Sequence, residues 1–197
     1  MLRMGELIAV RKVRLIAKKA LVVLVIAIGF PGSLMLMASA ANAQEARTAA
    51  SMAALIDKTA KLGAPTIGGE ERVGSRSAPV LYFGSTKMNN NFTIVDEVAT
   101  EGGPGMAASL FVKAGVQQAR GTVSEEYIRV ATTVRLPDGV KRAVGTALGS
   151  PALDSIRAGE PYYGEVDVLG KAYITRYEPI KDASGETIGA YFVGYKK

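Results

Sequence analysis

Arg129 is the residue best placed to do chemistry. It lies in the middle of an alternating run, Glu125–Leu136 (EEYIRVATTVRL). Two-residue periodicity puts Ile128, Val130, Val134 and Leu136, with Thr132 among them, on one face of a strand. Tyr127, Arg129, Ala131, Thr133 and Arg135 fall on the other. One face is core; the other is either wet or lines a pocket. A guanidinium held mid-strand can present a bidentate fork to a carboxylate. The same position also suits a solvated strand face, or an arginine paired with an internal acid such as Glu165 or Asp167. A second strand, Lys171–Ile180, carries Tyr173, Thr175 and Tyr177 on one side. Tyrosine combines a ring for packing with a terminal hydroxyl, which suits closure over a small polar ligand and equally suits ordinary cross-strand packing. Tyr163, within Tyr162-Tyr163-Gly164, is open to the same two readings. Lys141 and Arg142 precede Val144-Gly145-Thr146, where the pattern predicts a helix. Free backbone N–H groups and the helix dipole would favour an anion there, with Arg142 adding charge; the alternative is a surface basic pair.

The residue types that are missing narrow the chemistry. The chain has no His and no Cys. Thiol and imidazole catalysis, disulfides and the usual zinc sites are therefore excluded. Asp and Glu are scattered, with no dense calcium-type loop and no paired spacing that reads as a catalytic dyad. The expectation is a binding protein that is not an enzyme and needs no metal or cofactor. The net charge of +6 at first suggests a polyanion partner. Residues 1–43 account for +5 of it, leaving +1 for residues 44–197. Nucleic-acid binding is therefore set aside.

That basic segment reads as an export leader. Arg11-Lys12-Val13-Arg14 through Lys18-Lys19 forms a positive region, Leu21–Phe30 (LVVLVIAIGF) an apolar core, Pro31-Gly32 a breaker, and Ala38–Ala43 a run of small residues. This is the order of a secretory signal peptide. Cleavage is expected after Ala43, with Ala40 as second choice, releasing a periplasmic protein. The competing reading is an uncleaved anchor. Ala20–Met37 is near the shortest apolar stretch able to span a bilayer, but Pro31 and Gly32 interrupt it.

The elements that must position Arg129 and the tyrosines follow from the patterning. Met52, Leu55, Ile56, Thr59 and Leu62 form one stripe, predicting a helix over 44–62 that Gly63 ends. Ala64–Ala78 is glycine-rich and charged, and reads as a linker. From Pro79 short strands are expected: Val80–Phe83, Met106–Lys113 paired with Glu125–Leu136, then Tyr162–Val168, Lys171–Ile180 and Glu186–Tyr195. Lys87–Asn91 is a turn, and Phe92–Thr100 is a short helix or an irregular crossing. Val144–Ala158 is expected to be helical, with Ser150 capping its second half. Leu169-Gly170 reads as a two-residue hairpin link. The fold class is α+β: an antiparallel sheet of five or six strands, a long N-terminal helix and crossing helices. The organisation is 1–43 signal peptide, 44–78 helix and linker, and 79–197 a single domain.

Tyr127–Leu148 (YIRVATTVRLPDGVKRAVGTAL), Gly159–Gly164 (GEPYYG), Gly170–Ile180 (GKAYITRYEPI) and Asp182–Gly194 (DASGETIGAYFVG), in that order, resemble the Cache 3/Cache 2 fusion family of single sensor domains. The stretch Val80–Phe111 also fits, and the resemblance covers roughly residues 79–195. It implies a PAS-like antiparallel sheet, a long N-terminal helix and a small-molecule pocket on one sheet face, with small carboxylates among the ligands. Arg129, Arg142 and Tyr173 stand where the family has its strand arginine, its basic position and its post-hairpin tyrosine. Thr133 stands where the family commonly has Asn. Receptors of this family continue into a second membrane helix and a signalling module, whereas this sequence stops at Lys197. The expectation is thus a periplasmic small-molecule sensor that acts with a separate membrane sensor or transport partner, and that can form a homodimer. The alternative is a ligand-free interaction or dimerisation module on the same fold.

Overall fold

Met52, Leu55 and Thr59 are buried along one side of α1 (Gly32–Ala60), as their spacing predicts. Burying that stripe requires an apolar surface opposite, and a five-stranded sheet supplies it. The computed structural model describes residues 32–117 and 123–197; the charged leader and Leu21–Phe30 lie outside the described residues. Among the described residues no helix is long and apolar enough to cross a membrane. After α1 the chain runs β1 (Pro65–Val73), β2 (Arg76–Phe83), β3 (Thr86–Lys87), α2 (Thr93–Gly102), β4 (Met106–Gln117) and β5 (Val123–Thr132). It continues through α3 (Ala152–Arg157), β6 (Tyr162–Asp167), β7 (Ala172–Lys181) and β8 (Thr187–Lys196).

The large sheet has the order β5-β4-β8-β7-β6, antiparallel throughout. Its alternation sorts side chains between two cores. From β4, Met106, Ala108, Leu110 and Val112 face α1 and α2, while Ala107 and Phe111 face the other way. Tyr191 and Val193 of β8 join the first set, and Phe192, Tyr173 and Tyr177 the second. The three C-terminal strands lie within one residue of their predicted bounds: β6 and β7 alternate in burial, β8 is buried on both faces, and each link is short. Leu169 (φ +55°) and Gly170 (φ +82°) form the expected two-residue hairpin turn, closed by hydrogen bonds between Val168 and Lys171.

Two segments differ from expectation. Residues 64–78 are not a linker: β1 and β2 make a hairpin in a small sheet of order β1-β2-β3. Of β1 only Val73 is fully buried, so its polar, glycine-containing sequence lacks the apolar signature of a strand. Hairpin and helix meet where Gly63 passes Gly84; a Cβ on Gly63 would lie 2.7 Å from the Gly84 Cα. Gly63 therefore serves both the helix end, at φ +127°, and this close approach.

Residues 144–158 are not one helix. Only Ala152–Arg157 is helical, and Pro151, not Ser150, occupies its N-cap position without a side-chain hydrogen bond. The preceding residues form an extended strap along the outer edge of β5. Arg129 N donates to Thr146 O at 2.9 Å, Gly145 N to Arg129 O at 2.8 Å, and Leu148 N to Tyr127 O at 2.8 Å. Gly145 is required here. It has φ +81°, and a Cβ would lie 2.5 Å from the Val73 carbonyl oxygen, where the strap crosses the β1–β2 turn. The apolar residues of 144–158 mimic helical spacing, but the strap takes its hydrogen bonds from β5.

Candidate functional site

The bulge in β5 sets the position of Arg129. Leu110 pairs with Ala131 and Phe111 with Arg129, so Val130 is the extra residue. Up to that point the predicted alternation holds, and Arg129 points to the face carrying Phe111, Tyr173 and Tyr177. Beyond it the register shifts. β5 ends at Thr132, and Thr133 turns back to bond β4: Ala108 N donates to Thr133 Oγ1 at 3.0 Å.

Arg129 is 4% exposed, and its guanidinium lies 4.8 Å from the centroid of the Phe111 ring. Nη1 donates to Thr146 Oγ1 at 2.6 Å, and that hydroxyl donates to Ala143 O at 2.8 Å. Nε is buried without an acceptor. Among the described residues no carboxylate forms an ion pair with Arg129. Glu165 pairs with Lys197 at 2.7 Å, and Asp167 Oδ1 accepts from Gly170 N. Burial of the charge, only partly relieved by the nearby Tyr177 and Tyr173, lowers the Arg129 pKa to about 10. Burying this cation is therefore unfavourable in the free protein. Burial likewise raises the Tyr173 and Tyr177 hydroxyls, so both remain protonated hydrogen-bonding groups.

The guanidinium opens on a cavity of about 170 Å³. Its walls are Arg129 and Tyr177, strap residues Ala147, Leu148, Gly149 and Ser150, and residues Val166 to Leu169 at the β6–β7 turn. Ring packing stiffens the floor: Tyr177 lies 4.9 Å from Phe192 and 6.4 Å from Phe111. The arrangement can hold a small anion in a partly open pocket where the Arg129 cation and the Tyr177 ring meet aliphatic and polar residues, Asp167 among them. It carries no nucleophile beside a base, and among the described residues no three His, Cys, Asp or Glu side chains gather as metal ligands.

The other residues singled out in the sequence fall at different places. Tyr173 is buried on the same face as Arg129, beside the cavity. Tyr163 is 38% exposed. Its neighbour Tyr162 takes the cavity-side face of β6, packing on Tyr177 at 6.2 Å, so Tyr163 lies on the opposite face. Thr133 is spent on the β4–β5 junction, outside the cavity. Arg142 is also outside. It grips Asp96 of α2 through both oxygens, at 2.7 and 2.8 Å, donates to Thr132 O and stacks over Phe92 at 4.3 Å. The expected helix start at Gly145-Thr146 does not exist, so no helix dipole acts there; Thr146 contributes through its hydroxyl. Leu148 and Leu169 were not legible as cavity residues, because they depend on how the strap and the hairpin converge. Nor was Phe111, which its register opposite Arg129 sets beneath the guanidinium.

An antiparallel sheet of order β5-β4-β8-β7-β6, with a long helix on one face and a buried arginine facing a cavity on the other, defines a PAS-like sensor domain. The chain belongs to the Cache 3/Cache 2 fusion domain family, which matches residues 31–197. It is thus an extracytoplasmic sensor domain of a class that is generally non-enzymatic, typically binds small molecules and sits in membrane receptors. No curated protein and no solved structure matches it.

Proposed function

We propose that this protein is a periplasmic sensor for a small organic acid, held by its carboxylate at Arg129. The observation that carries the reading is a buried guanidinium with an orphaned Nε and no acidic partner among the described residues, facing a cavity. Buried charges are ordinarily paired. Thr146 already occupies Nη1, which leaves the Nε edge to receive a carboxylate in the two-bond geometry that guanidinium favours. A volume of about 170 Å³ equals that of roughly six liquid waters. This suits a short-chain acid. Tyr177 and Ser150 are the wall groups able to read a hydroxyl or keto oxygen beside the carboxylate. Export with cleavage after Ala43, and transmission through a separate membrane partner, complete the proposal; the leader's order of charge, apolar core and small residues supports the first.

A thermal-shift screen of the purified protein against short-chain mono-, hydroxy- and keto-acids tests the site. A ligand at a hundredfold excess over its Kd adds about 2.7 kcal/mol to native-state stability, which shifts the midpoint by several degrees. The shift should vanish in Arg129→Met. A flat panel for the unmodified protein would remove the ligand-binding reading. Mass spectrometry of the exported protein should show an N-terminus at Gln44.

A further inference from the structure

A cleft of about 810 Å³, larger than the Arg129 cavity, lies where the β1–β2 turn, the residue 135–142 loop and the strap meet. Four cations line it: Arg72, Arg135, Lys141 and Arg142. Only Arg142 is neutralised, by Asp96. Arg72, Arg135 and Lys141 are exposed and form no ion pair among the described residues. The nearest acid in sequence, Asp138, is spent on its own turn: its carboxylate accepts the backbone N–H groups of Val140 and Lys141, which hold its pKa low. Arg135 donates to Val140 O, fixing the loop that presents Lys141. Between the charges lie Leu136 and Val140, and Val140 is 72% exposed.

We infer that this cleft docks an acidic, extended segment of a partner protein, with carboxylates meeting Arg72, Arg135 and Lys141 and an apolar side chain seated on Val140. Charge complementarity selects the occupant. Residues 44–197 carry a net charge of only +1, so three unpaired cations in one cleft are a local concentration against a balanced background. Three are too few for a nucleic-acid surface, which typically engages about six to ten phosphates. An open cleft this wide, with apolar residues between its charges, is poorly matched to a single small anion, which is held by convergent donors.

The position of the cleft also suggests when docking occurs. The strap gives Val144, Gly145 and Thr146 to the cleft, and Ala147 to Ser150 to the cavity. Thr146 lines the cleft and bonds Arg129. A carboxylate at the Nε edge of Arg129 would act on the same guanidinium whose Nη1 holds Thr146, so ligand and partner act on the same strap. This coupling rests on the ligand reading above; the docking surface itself does not.

The test is fluorescence anisotropy on the purified full chain, with a labelled peptide of about twelve residues alternating Glu and Leu as probe. Micromolar binding that weakens steeply with salt is expected, and the matching Gln–Leu peptide should bind at least about tenfold more weakly. The R72E/K141E variant, which leaves the Arg135 bond to Val140 O in place, should lose the Glu peptide by a similar factor while keeping its melting temperature and its organic-acid shift. V140S supplies a milder check, with a loss of about threefold in a variant that disturbs no packing. Equal binding of the Gln peptide, or binding unaffected by the charge reversals, overturns the proposal. So does full displacement by about 10 mM inorganic phosphate at constant ionic strength, which would make this a small-anion site. Self-association abolished by the reversals, or preferential binding to phosphatidylglycerol vesicles, overturns it in favour of a second copy or a membrane. Peptide binding with a flat organic-acid screen would leave docking standing and remove only the ligand reading.

Discussion

The two faces of the central sheet have opposite attitudes to polar groups. On the α1 face each buried hydroxyl is matched. Ser51 Oγ meets Tyr195 OH at 2.7 Å, and Thr59 Oγ1 meets Tyr191 OH at 3.1 Å while also donating to Leu55 O and Ile56 O. Apolar packing fills the remainder: Phe83 stacks on Tyr191 at 6.0 Å, with Met52, Leu55 and Leu81 around it. On the opposite face a full charge is buried with one donor unsatisfied, beside a void. The first face is optimised for the free protein alone. The second leaves a buried donor without a protein partner, a cost in the free protein that the proposed carboxylate would relieve.

The predictions set one face against the other. The largest effect belongs to the packed face: Phe83→Ala should cost about 3–5 kcal/mol in chemical denaturation, leaving ligand affinity unchanged in the folded fraction. Arg129→Met should do the reverse. Affinity for the organic acid should fall at least about a hundredfold by calorimetry, while the free protein becomes more stable by about 1–3 kcal/mol. Loss of stability in Arg129→Met would put the guanidinium with the packed face and end the contrast.

A pH series gives a smaller and directional signal. Because Arg129 titrates at about 10 in the folded chain, carboxylate affinity should hold from about pH 7 to 9 and then fall roughly tenfold per unit above about 10. The folded pKa lies below the unfolded value, so between the two the free protein binds fewer protons than the unfolded chain. This group therefore adds stability as pH climbs above about 10, and affinity and stability move in opposite directions. Smallest is Tyr191→Phe, which removes one matched hydroxyl from the packed face. About 1 kcal/mol should be lost, because Thr59 keeps its bonds to Leu55 O and Ile56 O.

The elements readable in the sequence were those whose buried face repeats. The stripe Met52, Leu55, Thr59 and the alternation of β6 and β7 each point to one surface, while β8 is a continuous buried run between short turns. The β1–β2 hairpin was hidden because Ile67, Gly68, Gly69 and Glu70 face solvent and leave no pattern. The strap was hidden for another reason: its geometry is set by the edge of β5, a partner distant in sequence, so local spacing suggested a helix. The site divides in the same way. Arg129 and the tyrosines of β7 follow from periodicity on one strand. Thr133 and Arg142 were read from strand position, an expected helix start and the family resemblance; a bulge turns Thr133 to β4, and the ion pair to Asp96 sets Arg142 in the neighbouring cleft, outside the Arg129 cavity. The contribution of Thr146 depends on the strap and so could not be anticipated from spacing.

The strap has one more consequence. A sheet ending in β5 would present a row of open N–H and C=O groups, the template on which chains add strand to strand and aggregate. Residues 143–148 occupy those groups from within the same molecule, so the wall of the cavity is also a guard on a sticky edge. Gly145→Ala, which forces the strap off the Val73 carbonyl, should show itself first as rising light scattering on storage, before any change in ligand affinity is measurable. Solubility would then be an inherited condition on how far this pocket can be allowed to open.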